Sequence, residues 1–139
     1  MRKALSIISV IAIATLLAAA CKSSGSSGGE VIKSTTVDGT IITLASNSGE
    51  LRAGENDLLL SFADTSGKPV EITAASLTFH MPAMGSMPEM NNAGNLTTTD
   101  TPGKFRARAN IEMSGTWEAQ IRFEGPKGSG RTSMTVNAK

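Results

Sequence analysis

Two runs of strict alternation limit what this chain can fold into. In Lys104–Met113, Phe105, Ala107, Ala109, Ile111 and Met113 hold one parity, while Lys104, Arg106, Arg108, Asn110 and Glu112 hold the other. Thr116–Glu124 repeats the pattern, with Trp117, Ala119, Ile121 and Phe123 set against Glu118, Gln120, Arg122 and Glu124. A side-chain period of two belongs to a strand, and one apolar face with one polar face belongs to an antiparallel sheet with a wet side. Gly125-Pro126-Lys127-Gly128 then turns the chain into a last strand, with Met134, Val136 and Ala138 inward. Upstream, Leu58, Leu60 and Phe62 alternate with Leu59, Ser61 and Ala63, and the turn Asp64–Pro69 stops that strand. Val70–Phe79 is the next extended run. Its apolar parity shifts between Ile72 and Leu77, which predicts a bulge near Ala74-Ala75. Asp38-Gly39 between Val31–Val37 and Thr40–Leu44 is a hairpin signal. No segment carries a helical period. About seven short strands in about 110 residues predict an all-β fold, an immunoglobulin-like antiparallel β-sandwich. The single Cys forbids the inter-sheet disulfide of antibody domains, so Trp117 is expected to anchor the core by area alone.

The first residues read as an address rather than as fold. Arg2 and Lys3 form a positive start, and Ala4–Ala20 is an apolar run of 17 residues ending in Ala18-Ala19-Ala20. Cys21 follows at once. The segment resembles the lipobox of bacterial lipoproteins, with Leu17 one place earlier than the usual leucine. The resemblance implies a signal peptide over 1–20 and lipidation of Cys21, which becomes the mature N-terminus. Simple secretion and an uncleaved anchor are the alternatives, and all three place the domain outside the cytoplasm, in the cell envelope. Lys22–Gly29 is a Ser/Gly tether following the lipidated Cys in 21–29. The folded domain is expected over 30–139, held near a membrane by the lipid anchor.

Composition narrows function by exclusion. There is one His and one Cys among 139 residues, too few for a multi-His zinc site or for paired-His catalysis. Ser residues are plentiful, but no nucleophile elbow accompanies the single His, and the chain is not expected to be an enzyme. The formal charge is +1 and becomes slightly negative once Arg2 and Lys3 leave with the leader. That balance gives no basic footprint for nucleic acid.

One segment is chemically unusual. Between His80 and Met90, methionines stand at 81, 84, 87 and 90, three residues apart each time. Pro82, Gly85 and Pro88 oppose a helix. An extended polyproline-like chain repeats every three residues, and it would line all four thioethers along one side of a loop. Thioether sulfur is a soft ligand that selects Cu(I), or its mimic Ag(I), and neutral imidazole also suits copper. Met84, Met87 and Met90 are the expected copper(I) ligands, with His80 or Met81 completing the set and Met113 a further candidate. Packing is the competing reading: Met81 follows Leu77 and Phe79 in parity, Met113 ends an inward row, and methionine-rich surfaces also bind partners without metal.

The order of several short motifs carries a family resemblance. Gly54-Glu55-Asn56, Gly67-Lys68-Pro69-Val70, Met81-Pro82-Ala83-Met84-Gly85, Pro102-Gly103-Lys104-Phe105 and Met113-Ser114-Gly115-Thr116-Trp117 follow one another over residues 50–125. That order resembles the YtkA-like domain family, which is related to FixH-like domains. The resemblance implies an exported or membrane-attached immunoglobulin-like sandwich that accompanies heavy-metal efflux or copper-handling components. It carries over to Met81, Met84, Met113 and Trp117, while Met87 and Met90 extend the pattern beyond its usual core. The expected function is a cell-envelope lipoprotein that binds Cu(I) for buffering, or for delivery to an efflux or cuproenzyme partner. The alternative is a metal-free module that docks on an envelope partner through the methionine segment.

Overall fold

The apolar faces read from the sequence become the interior of two facing sheets. The structure is a computed structural model that describes residues 29–139. The expected leader over 1–20, Cys21 and tether residues 22–28 lie outside the described residues. Eight strands follow in order: β1 (Glu30–Val37), β2 (Thr40–Ser46), β3 (Gly54–Asp64), β4 (Ala74–Met81), β5 (Met90–Thr98), β6 (Lys104–Ile111), β7 (Gly115–Gly125) and β8 (Gly128–Ala138). All strand pairs are antiparallel, in the spatial order β1-β2-β3-β6-β5-β4-β7-β8. Strands β2, β3, β6 and β5 on one sheet and β4, β7 and β8 on the other reproduce the four-plus-three arrangement of constant-type immunoglobulin domains. Strand β1 adds an eighth, joined to β2 through Asp38 (φ 48) and Gly39 (φ 78), the backbone of a type I′ turn.

The expected alternation holds residue by residue. Phe105, Ala107, Ala109 and Ile111 are buried from β6, and Trp117, Ala119, Ile121 and Phe123 from β7. Leu58, Leu60 and Phe62 meet them from β3, and Met134, Val136 and Ala138 from β8. Phe62 packs edge-on to Phe105, with ring centroids 6.0 Å apart, and lies tilted against Phe123 at 5.1 Å. Such aromatic pairs add to the area term that holds the two sheets together.

Two features close the sandwich. Strand β5 changes sheets along its length: Met90–Gly94 pair with β4, and Asn95–Thr98 pair with β6. This polar strand was not expected from the sequence. On the other side, Leu51 pairs with the end of β8, through Lys139 N–H to Leu51 O at 2.9 Å and Ala53 N–H to Lys139 O at 2.9 Å. The Lys139 ammonium also bonds Glu50, and it holds that carboxyl below the usual carboxylate range, helped by Arg52.

The parity break before β4 has a different origin from the bulge expected at Ala74-Ala75. The β4–β7 register runs without interruption from Ala74 to His80. The chain leaves β3 by pairing Val70 N–H with Phe62 O at 3.0 Å, and three residues later Thr73 N–H bonds Glu124 O at 2.8 Å on the other sheet. Crossing between sheets inverts the side that faces the core, so the apolar parity shifts there. The only register irregularity among the described strands sits in β1, between Val31 and Lys33.

Two local devices brace these connections. Asp64 Oδ1 accepts from Ser66 N–H at 2.9 Å, Ser66 Oγ–H at 2.6 Å and Lys68 N–H at 3.0 Å. The bond from Ser66, and then that from Lys68, hold the Asp64 carboxyl below its ordinary value. Its contribution to stability is therefore present above the unfolded carboxylate pKa of about 4 and is lost as pH falls through the lower folded value. At the opposite end, the buried indole of Trp117 donates Nε1–H to Met113 O at 3.1 Å, back across the β6–β7 corner. It takes the place that a corner tyrosine holds in immunoglobulin sandwiches. Asp64→Asn should destabilise the domain at neutral pH, with the difference from wild type vanishing as pH falls below about 4 in urea melts. Trp117→Phe should cost about 2 kcal/mol by denaturation followed with circular dichroism, from the lost bond and the space left behind.

Candidate metal centre

The methionine segment forms the tip of a hairpin. His80 pairs with Asn91 and Met81 with Met90 in the β4–β5 ladder. Met84 N–H bonds Met87 O at 3.1 Å, and Met87 N–H bonds Met84 O at 2.9 Å. One register therefore runs through the whole segment, interrupted between Met81 and Met84 by Pro82, which has no N–H to give to the ladder. Gly85, at φ 58, and Ser86 make the two-residue turn, with glycine where a type II′ turn requires positive φ. The extended polyproline-like row expected from the three-residue spacing is not what forms. The chain folds back, and four methionines in line become two cross-strand pairs.

The inner pair differs from the tip pair. Met81 is 2% exposed and packs with its methyl over Gly115, where a Cβ would sit 3.1 Å away. Its partner Met90 is half-buried against the core. At the tip, Met84 is 55% and Met87 37% exposed. Because they exchange both backbone bonds, their side chains rise on the same side of the hairpin, with Cβ atoms about 5 Å apart. Only Gly85 and Ser86 lie between them in sequence, so no charge stands between the two sulfurs along the chain.

The other candidates take separate places. Met113 lies in the β6–β7 connection, at the same end of the sandwich as the hairpin tip, and packs half-buried against the core. His80 alternates with the buried Phe79 and Met81, so its ring lies on the outer face of the sheet. There Nδ1 lies 2.8 Å from Asn91 Oδ1, and Glu118 stands opposite in the β7 register. If Nδ1 carries the proton, Nε2 keeps its lone pair. His80 is four residues back from Met84, about 13 Å at the rise of a strand. The structure thus brings Met84 and Met87 together, places Met81, Met90 and Met113 in or against the core, and leaves His80 on the outer face, the side that Met84 shares by parity, about 13 Å back along the strand. Asn91, the partner of His80, was not singled out from the sequence. Gly85-Ser86 between two methionines is the local signal that announces the turn.

The donor set fits a soft monovalent cation. Two exposed thioethers on one side of the turn are soft donors and offer no hard oxygen ligand of the kind calcium or magnesium needs. Among the described residues no three His, Cys, Asp or Glu side chains gather around one point. Of the described residues, no helix is long and apolar enough to cross a membrane.

Comparison with known proteins fixes the family. Residues 34–122, from β1 to β7, match the family described as YtkA-like. This chain belongs to the YtkA-like family. No curated protein matches it in sequence. A DUF4785 family protein from Legionella pneumophila is similar in fold, with a TM-score of 0.50 and 12% identity over 75% of this chain. This chain spans 29% of that protein's length. FetP of a uropathogenic E. coli strain aligns at 12% identity with a TM-score of 0.44, over 79% of this chain and 93% of that one. The YtkA-like match covers the whole β4–β5 hairpin and the Met113 corner.

The unequal burial of the methionines predicts unequal costs. Met81→Ala should destabilise the domain by about 3 kcal/mol, as core truncations do. Met84→Ala and Met87→Ala should each stay within about 0.5 kcal/mol of wild type in the same denaturant melts.

Proposed function

We propose that this YtkA-like domain works outside the cytoplasm as a Cu(I)-binding protein, with Met84 and Met87 as the first ligands. The supporting observation is the backbone pair that sets their thioethers side by side in solvent at the tip of a braced hairpin. Met81 and Met90 form the next cross-strand pair along the hairpin and face the core, and His80, which shares the parity of Met84, offers the one imidazole donor. Copper supplies no reaction here; it is cargo, held by donors that have no proton to lose and that need no thiolate in an oxidising compartment. Two accessible ligands make a site that exchanges its ion readily, which suits buffering or hand-over to an efflux component or a cuproenzyme. The role is binding rather than catalysis. The leader and Cys21 would tether the domain to a bacterial membrane through a lipid, with the Ser/Gly segment as its leash.

A second reading draws on the same exposure. Thioethers at 55% and 37% exposure are also an apolar knob for an envelope protein partner. A competition experiment separates the two. The full chain carrying Cys21→Ser, so that no thiol competes, is titrated with Cu(I) against a chromophoric chelator under reducing conditions. It should withdraw copper at one equivalent, and a further Met84→Leu/Met87→Leu change should weaken that by on the order of a hundredfold, since Leu keeps the volume and removes the sulfur. Equal competition by the two proteins, or none by either, would overturn the copper reading and favour docking.

A further inference from the structure

Met84 and Met87 are also the most exposed of the described methionines. Met81 and Met134 are 2% and 3% exposed, and Met90 and Met113 lie half-buried against the core, whereas the tip pair stands in solvent. The tip itself is held by two backbone bonds and by the positive φ of Gly85. Neither thioether shapes it, so either sulfur can become polar without disturbing the turn. We propose that the Met84–Met87 pair is a methionine sulfoxide site, at which peroxide-class oxidants oxidise both thioethers on the folded protein ahead of the other described methionines.

The chemistry balances within the pair and its oxidant. The sulfur lone pair attacks one oxygen of hydrogen peroxide, the S–O bond forms as the O–O bond breaks, and a proton shift releases water. Each sulfur gives up two electrons and each peroxide takes up two, so the tip consumes two peroxides. The sulfoxide oxygens project into water, whereas oxidation of Met81 would force a polar oxygen into the core against Gly115. The inference needs accessible sulfur and nothing else, so it stands apart from the copper reading. The two meet at one orbital: the lone pair that would hold a soft cation is the one that takes the oxygen, and the sulfoxide then presents a hard donor.

The test follows each methionine separately. The full chain with Cys21→Ser is exposed to hydrogen peroxide and sampled over time by peptide mass mapping. Met84 and Met87 should oxidise on the order of tenfold faster than Met81 and Met134, with circular dichroism and melting unchanged once both tip residues are converted. Equal rates at Met81 and Met84, or loss of the fold on oxidation of the tip, would overturn the proposal. A parallel series with stoichiometric Ag(I) separates it from the metal reading. Protection of Met84 and Met87 supports both, whereas unchanged selectivity without protection supports the sulfoxide site and counts against a soft-cation grip.

Discussion

The pair of backbone hydrogen bonds between Met84 and Met87 is the constraint on which the rest of the reading depends. Two bonds exchanged across a two-residue turn fix which residues stand opposite one another, and in an antiparallel ladder that also fixes which side chains share a side. Slipping the register by one residue would send the two thioethers to opposite sides, and no donor pair would remain. Glycine at position 85 makes the turn available at little conformational cost, because positive φ carries no Cβ penalty there.

The same register sorts the sulfur into two kinds. Met81 lies on the inner face with Leu77 and Phe79, and it is part of what holds the sheets together. Met84 and Met87 lie beyond Pro82, where the ladder is interrupted, and are the exposed pair. The domain thus keeps core methionines and exposed methionines apart. The proposed soft-cation binding and sulfur oxidation would both call on the exposed pair, and neither would require the core to open. Near the pair, Trp117 bonds the adjacent β6–β7 corner at Met113 O, and Lys139 joins the end of β8 to Leu51.

Much of this fold is legible in the sequence because most strands have one buried face. β6, β7 and β8 show their inward residues as plain alternation, and Asp38-Gly39 announces the first turn. β5 is illegible for a physical reason. It leaves one sheet for the other between Gly94 and Asn95, and Met-Asn-Asn-Ala-Gly-Asn-Leu-Thr-Thr carries no continuous apolar face to mark it. The parity break before Leu77 is readable as an event, but a bulge and a sheet crossover leave the same trace in one dimension. At the site, the burial of Met81 follows from its parity with Phe79. The pairing of Met84 with Met87 does not, because a spacing of three fits a polyproline turn and a folded hairpin equally well. Gly-Ser at the centre favours the hairpin, and Pro82 and Pro88 mask it.

The most direct measurement of the central claim is a titration of the full chain, carrying Cys21→Ser and 13C-labelled methionine methyl groups, with Ag(I) followed by NMR. Each methionine reports through its own methyl resonance beside the sulfur. The account predicts that the Met84 and Met87 resonances move together and saturate at one equivalent, while those of Met81 and Met134 stay in place. Movement at neither tip residue, or movement of Met81 with Met84 left unchanged, would contradict it.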